Sequence, residues 1–324
     1  MLRAFISNLH RNWTNMASSS ASSLSRSHTP LRQQSKPLQP DSFPPAVDHA
    51  QSDSSCDVKR LHIKVDDGPD GKVIGFLHVP ATNSIQPQQP PNPTAAILLS
   101  GAGGGVVGPS SIYLSIADKL ASLPPSSASS AQTAMLALRL DYRYPARTKY
   151  CLADVRAAAD HLEREHGVRR FVLVGWSFGG APVFTFGGMD ARCVGAATVA
   201  SQTAETEGIR RMPPRPVLLL HGTADRTLSP ACSARLKGIY EGAAGKKGGD
   251  VRLRLFEGDD HALTKSSAEA ESLLCEFVLR CADVRTDGDG VKGVVQAPLT
   301  VRSREEKVEL MRKGGDLRGA ENVE

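Results

Sequence analysis

The chain has 324 residues, 40% of them hydrophobic, enough for one large buried core or two small ones, and a net charge of +5 with a sequence pI near 8.9. That surplus is modest and shared with two polar tails, so composition points to no nucleic-acid partner; the longest apolar runs, such as Val217 to Leu220, are strand-length, which excludes a membrane span. Six cysteines (Cys56, Cys151, Cys193, Cys232, Cys275, Cys281) are scattered without C-x-x-C spacing, the pattern of reduced thiols in an intracellular, cytoplasmic protein.

The first forty residues carry no acidic side chain and are dense in serine, and such a segment cannot build a core. Leu2, Phe5, Ile6, Leu9 and Trp13 share one helical face, with Arg3, His10 and Arg11 largely off it, which makes a mitochondrial presequence the alternative to a disordered extension. Translation from Met16 would remove that amphipathic part. From about Leu61 to Ala282 strand and helix signals alternate. Leu61–Val65 and Lys72–Val79, joined by a turn-rich Asp66–Gly71, predict an antiparallel pair. A polar loop, Ala81 to Thr94, leads to Ala95–Leu99, a short continuous apolar run typical of a strand buried on both faces. A helix is expected near Ser111–Leu123, a strand at Ala134–Leu140, and a helix at Leu152–Glu165 stopping at Gly167. Strands follow at Arg170–Val174, Cys193–Ala200, Pro216–Leu220 and Val251–Phe256. The last helix is announced by the capping-box spacing Ser266-x-x-Glu269 and buries Leu273, Leu274, Phe277, Val278 and Cys281. This alternation predicts a mostly parallel sheet of about eight strands with helices on both faces. The expected organisation is an extension at 1–56, a domain at 57–283, and a flexible polar tail at 284–324 with one charged candidate helix at Ser303–Lys313.

One segment declares a chemistry. Phe171–Val174 runs into Gly175-Trp176-Ser177-Phe178-Gly179, a G-x-S-x-G pattern whose glycines make room for a sharp strand-to-helix turn with the serine at its apex. A chain with 29 glycines meets this pattern by chance often enough that context must carry it. The context is a buried strand before and the acceptable, Pro-bearing helix opening Gly180–Phe186 after. A serine hydroxyl also needs a histidine to take its proton and a carboxylate to orient that histidine. His221 and Asp225 lie in His-Gly-Thr-Ala-Asp at the end of one predicted strand, and His261 follows the last strand in Asp259-Asp260-His261. Ser177, Asp225 and His261 all fall at carboxyl ends of strands, the rim where open α/β sheets bind ligands.

On these three segments the chain resembles the α/β-hydrolase family over about 220 residues. Small, lid-poor members are most similar, including the dienelactone-hydrolase-like group and the group of testis-expressed and chromatin-complex hydrolase-like subunits. The resemblance implies Ser177 as nucleophile, Asp225 as the acid and His261 as the general base, with Glu205 a rival acid one strand earlier and His221 a turn residue near the acid. It implies an oxyanion hole from the amides of Phe178 and of Ala102, in Ser100-Gly101-Ala102-Gly103-Gly104-Gly105, although many relatives have histidine where this chain has Ser100. Gly101, Gly103 and Trp176 are expected against the substrate. Asp141-Tyr142-Arg143-Tyr144 stands where relatives often show Asp-x-Arg-Gly; charge pairing around the loop is its expected role, and Tyr144 is expected to narrow the pocket. About fifteen residues separate the strands at Ala200 and Pro216, too few for a helical cap. The expected activity is hydrolysis of a small ester-type acyl substrate with no metal or organic cofactor. A silent hydrolase-like scaffold, or thioesterase or peptidase chemistry on the same residues, stays open.

Overall fold

A computed structural model describes residues 56–67, 71–80, 93–124, 134–143, 147–245, 248–285 and 289–298. The N-terminal amphipathic stretch, most of the polar loop before the third strand, Tyr144 and the charged segment at 303–313 lie outside them.

Eight strands form one sheet: β1 (Cys56–Lys64), β2 (Lys72–Pro80), β3 (Thr94–Leu99), β4 (Leu136–Asp141), β5 (Arg170–Trp176), β6 (Cys193–Val199), β7 (Val217–Gly222) and β8 (Val251–Phe256). Their order across the sheet is β1-β2-β4-β3-β5-β6-β7-β8, with β2 antiparallel to both neighbours and β3 to β8 mutually parallel. Among the described residues the α-helices are α1 (Ile112–Ala121), α2 (Thr148–His166), α3 (Gly180–Met189), α4 (Ala231–Ala244), α5 (Ser267–Cys281) and α6 (Asp289–Gln296).

The two-residue period of a strand explains why the central strands are apolar throughout. Along β3, Ala95, Ile97 and Leu99 face the layer of α2, α3 and α4, whereas Ala96 and Leu98 face the layer of α1, α5 and α6. Each fully buried leucine or phenylalanine contributes about 1.5–3 kcal/mol relative to exposure, so the two layers together fix the register of the sheet. α2 ends at Gly167 in the left-handed region (φ 67°), as its sequence predicts. Pro182 lies in the first turn of α3, where its missing N–H has no partner to lose.

Two helices depart from the expectation. α4 carries Gly238 and Gly242 in its interior yet buries Ser233, Leu236, Tyr240 and Ala244. α6 falls within the stretch expected as tail; it buries Val291 and Val295 and packs on α5. It is clasped by Lys119, which donates to the carbonyls of Val295 and Ala297 (3.1 and 2.9 Å) and pairs with buried Glu271 at 3.0 Å. The capping box at Ser266 is not made either: its side chain makes no cap bond, and Glu269 pairs with Arg254 instead. Among the described residues no disulfide joins the cysteines, and all but half-buried Cys232 are buried. No described helix is long and apolar enough to cross a membrane.

Candidate active site

The carboxyl ends of β3, β5, β7 and β8 open on one rim, and the chain places a sequence-predicted side chain or loop after each. At the end of β5 the backbone turns through Ser177 with φ 55°, then a 3-10 turn, Ser177–Gly179, leads directly into α3. The flanking glycines are required by contact. A Cβ at Gly175 would stand 2.6 Å from Gly179 O, and one at Gly179 would stand 2.7 Å from the carbonyl oxygens of Leu99 and Ser100. The elbow is therefore pressed against the end of β3, which brings the glycine loop beside the serine. A Cβ on Gly101 would be 3.5 Å from Ser177 Cβ and 3.4 Å from the Trp176 ring.

That loop is held from inside. Gly104 N–H donates to Gly101 O (3.0 Å), closing a turn around exposed Ala102, and Gly105 N–H donates to Asp141 Oδ1 (3.0 Å). Ser100 Oγ accepts from Gly108 N–H (3.2 Å), and the Tyr142 hydroxyl donates to Ser100 O (2.9 Å). Ser100 thus anchors the loop through its own hydroxyl. Gly103 is exposed with open space around it. The Phe178 amide lies at the start of the elbow turn, among the N–H groups a helix leaves without an internal partner. Arg143, next to this loop, is buried against Asp154 (2.5 Å) and also donates to Asp67 O; it is a structural cation, paired with Asp154 and not with Asp141.

Asp225 follows β7 with its side chain wholly buried. Oδ1 accepts from the amides of Thr227 (2.7 Å) and Leu228 (2.9 Å), and Oδ2 lies 2.7 Å from His261 Nδ1 and 3.1 Å from His221 Nε2. Burial pushes this carboxyl up, but the Leu228 amide, His261 and the Thr227 amide outweigh it and hold it below the usual carboxylate range. His261, 17% exposed at its side chain, sits in a loop built on two more carboxylates. Asp259 accepts from the amides of Asp260, Lys265 and Ser266, and Asp260 from Ala262, Thr264 and the Thr264 hydroxyl. Burial raises both, and these donors more than reverse it. Ser110 Oγ donates to Ala262 O (2.8 Å), tying the loop to the β3 side of the rim.

Trp176 is half-buried on the rim beside Gly101 and spans from the elbow to the histidine loop. Its indole N–H donates to His261 O (3.1 Å), and its ring lies 5.7 Å from the imidazole, tilted by 41°. Phe178 packs edge-on against Tyr142 at 5.8 Å. Glu205 is exposed and bonded to the Thr148 hydroxyl, so it is not the partner of His261. Among the described residues Ser177 Oγ makes no hydrogen bond to His261; the two are joined through Trp176, which is bonded to Ser177 in the chain and to His261 across the rim.

One cluster elsewhere offers metal-ligand atoms: those of Cys56, His78 and Asp118 lie within 4.8 Å of one another. Arg139 Nε donates to His78 Nε2 (2.9 Å), which leaves the hydrogen on Nδ1, directed at Asp118 Oδ1 (2.7 Å). Cys56 donates to the same oxygen, and its thiol is pushed up to about 12 by burial, with Asp118 adding to the rise. The three side chains thus satisfy one another by hydrogen bonds, with Asp118 Oδ1 shared between His78 and Cys56.

No protein-family model matches the chain, and no curated protein sequence matches it. Solved structures do. Est1E from Butyrivibrio proteoclasticus superposes with a TM-score of 0.54 at 16% identity, covering 69% of this chain and 99% of that one. Dienelactone hydrolase from Anabaena variabilis gives 0.51 at 14%, covering 70% and 98%. A serine hydrolase without lid from Xanthomonas campestris gives 0.50 at 15%, covering 70% and 94%. With β2 alone antiparallel, and with only a short 3-10 turn (Glu207–Arg211) between β6 and β7 where a cap would be inserted, the chain has the α/β-hydrolase fold of the small kind without a large cap.

Proposed function

We propose that the chain is a serine hydrolase that cleaves small, ester-type acyl substrates through Ser177, His261 and Asp225. The observation that carries the reading is the 2.7 Å contact of Asp225 Oδ2 with His261 Nδ1, on the rim where the elbow presents Ser177 at φ 55°. With its Nδ1 hydrogen directed at the carboxylate, His261 keeps an Nε2 lone pair for the serine proton. Ser177 Oγ attacks the acyl carbon as that proton moves to Nε2, and Asp225 supports the imidazolium. The amides of Phe178 and Ala102 receive the developing oxyanion. His261 returns the proton to the leaving alcohol, then takes one from the water that attacks the acyl-serine and passes it to Ser177 Oγ as the acid leaves, so both residues are regenerated. The short β6–β7 connection supports an open site suited to soluble acyl groups of modest size. The buried cysteines fit a reducing compartment, the cytoplasm in this reading.

Labelling with a fluorophosphonate probe tests the proposal. The native chain is expected to take the probe, and Ser177→Ala and His261→Ala to lose it while staying folded. A folded native chain that takes no probe would overturn the reading in favour of a silent scaffold. A panel of p-nitrophenyl esters and acyl thioesters then separates esterase from thioesterase chemistry.

A further inference from the structure

His221 is the penultimate residue of β7, its side chain fully buried and both ring nitrogens engaged. Nε2 faces two acceptors and no donor, Leu228 O at 2.9 Å and Asp225 Oδ2 at 3.1 Å, so the hydrogen belongs on Nε2. Nδ1 lies 2.7 Å from Ser233 Oγ, itself buried in the first turn of α4, and is left to accept the serine hydroxyl. The opposite tautomer would set a lone pair against a carbonyl and a carboxylate, whereas the Ser233 hydroxyl can donate or accept and follows the ring. Asp225 Oδ2 is thus gripped by two histidines, His261 toward the rim and His221 from beneath, while Oδ1 is held by two amides.

We infer that Ser233 and His221 form a second layer behind the acid: Leu228 O and Asp225 fix the tautomer of His221, Ser233 holds its ring in place through Nδ1, and His221 holds Asp225 in the orientation that His261 requires. The inference rests on the hydrolase reading above. His221 touches neither substrate nor reacting atoms and is a positioning residue. Its worth lies in timing. When His261 becomes positive, a carboxylate already fixed by four donors meets the charge without reorganising. A histidine kept only to fill space would be replaced by an apolar residue without chemical effect.

The test is the rate of fluorophosphonate labelling at Ser177, with kcat and KM on p-nitrophenyl acetate and circular dichroism to check folding. His221→Leu is expected to lower labelling and kcat about ten- to a hundredfold with KM within about twofold. Ser233→Ala is expected to lose about three- to tenfold. His221→Gln, whose amide nitrogen reaches the place of Nε2, should stay within about threefold of native, a rescue that a purely structural role would not produce. Native labelling by folded His221→Leu, or a loss in His221→Gln as large as in His221→Leu, overturns the inference. Should His221→Leu fail to fold, native labelling by Ser233→Ala overturns it equally. A native chain that takes no probe brings down the hydrolase reading and this layer together, whereas equal labelling of native and His221→Leu brings down the layer alone.

Discussion

Gly179→Ala measures how tightly the elbow is seated. The added Cβ would stand 2.7 Å from both Leu99 O and Ser100 O, the end of a strand hydrogen-bonded between β4 and β5, which does not swing aside as a side-chain tip would. A carbon meets a carbonyl oxygen comfortably at about 3.3 Å, so the elbow must retreat by roughly 0.6 Å. Overpacking of this kind costs about 1–3 kcal/mol, a fall in Tm of about 3–10 °C for a chain of this size. Ser177 lies two residues away and moves with the elbow. Since a displacement of about 1 Å costs on the order of a hundredfold in rate, labelling should slow by about tenfold. Both quantities are read on one preparation, by scanning fluorimetry and by timed probe labelling. Gly238→Ala supplies the opposite sign: its Cβ meets nothing within 4 Å in the interior of α4, and the loss of a helical glycine should raise Tm by about 1–4 °C. A Gly179→Ala protein that melts within about 1 °C of native and labels at the native rate would refute the close-approach reasoning.

Trp176→Phe keeps the ring and removes the donor to His261 O; kcat should fall about tenfold with KM nearly unchanged, and a raised KM at constant kcat would place Trp176 in the substrate pocket. Asp259, held below the usual carboxylate range, contributes stability above the unfolded pKa near ~3.9 that is lost as pH falls through the lower folded value. Asp259→Asn should therefore lower Tm by about 3–10 °C at neutral pH but flatten its decline below about pH 4; thermal melts across pH 2.5–7 that run parallel to native would refute the assignment. Lys119→Met leaves Glu271 buried without its cation and should cost about 3–5 kcal/mol in chemical denaturation, most of it recovered in Lys119→Met/Glu271→Leu; equal stabilities of single and double variants would remove the clasp from the account.

The sheet was legible because each core strand is a short apolar run bounded by turn residues, as in Ala95–Leu99 and Phe171–Val174, and the rim positions of Ser177, Asp225 and His261 followed from where those runs end. α4 was not, because Gly238 and Gly242 interrupt a pattern whose buried positions, Leu236, Tyr240 and Ala244, recur only every fourth residue. α6 was hidden by its brevity: two buried valines and a lysine 176 residues before Val295 hold it, and no local signal encodes that lysine. The Ser266-x-x-Glu269 spacing misled because Asp259 accepts from Ser266 and Arg254 takes Glu269, both tertiary contacts that override a local cap. For His221 the resemblance implies only a turn residue near the acid. Its role depends on Ser233, which no pattern links to it.

The positive φ of Ser177 has a cost that any residue with a Cβ shares, about 1–2 kcal/mol for an L-residue in the left-handed region. Ser177→Ala keeps that cost and Ser177→Gly releases it, so of two variants equally without the serine hydroxyl the glycine form should melt higher, by about 2–4 °C for each kcal/mol recovered. Selection for heat resistance alone would thus favour glycine at position 177 and remove the nucleophile that the proposed function requires. Under the proposed function, the left-handed backbone at Ser177 is retained for the hydroxyl it presents, a trade that a folding criterion alone would not make.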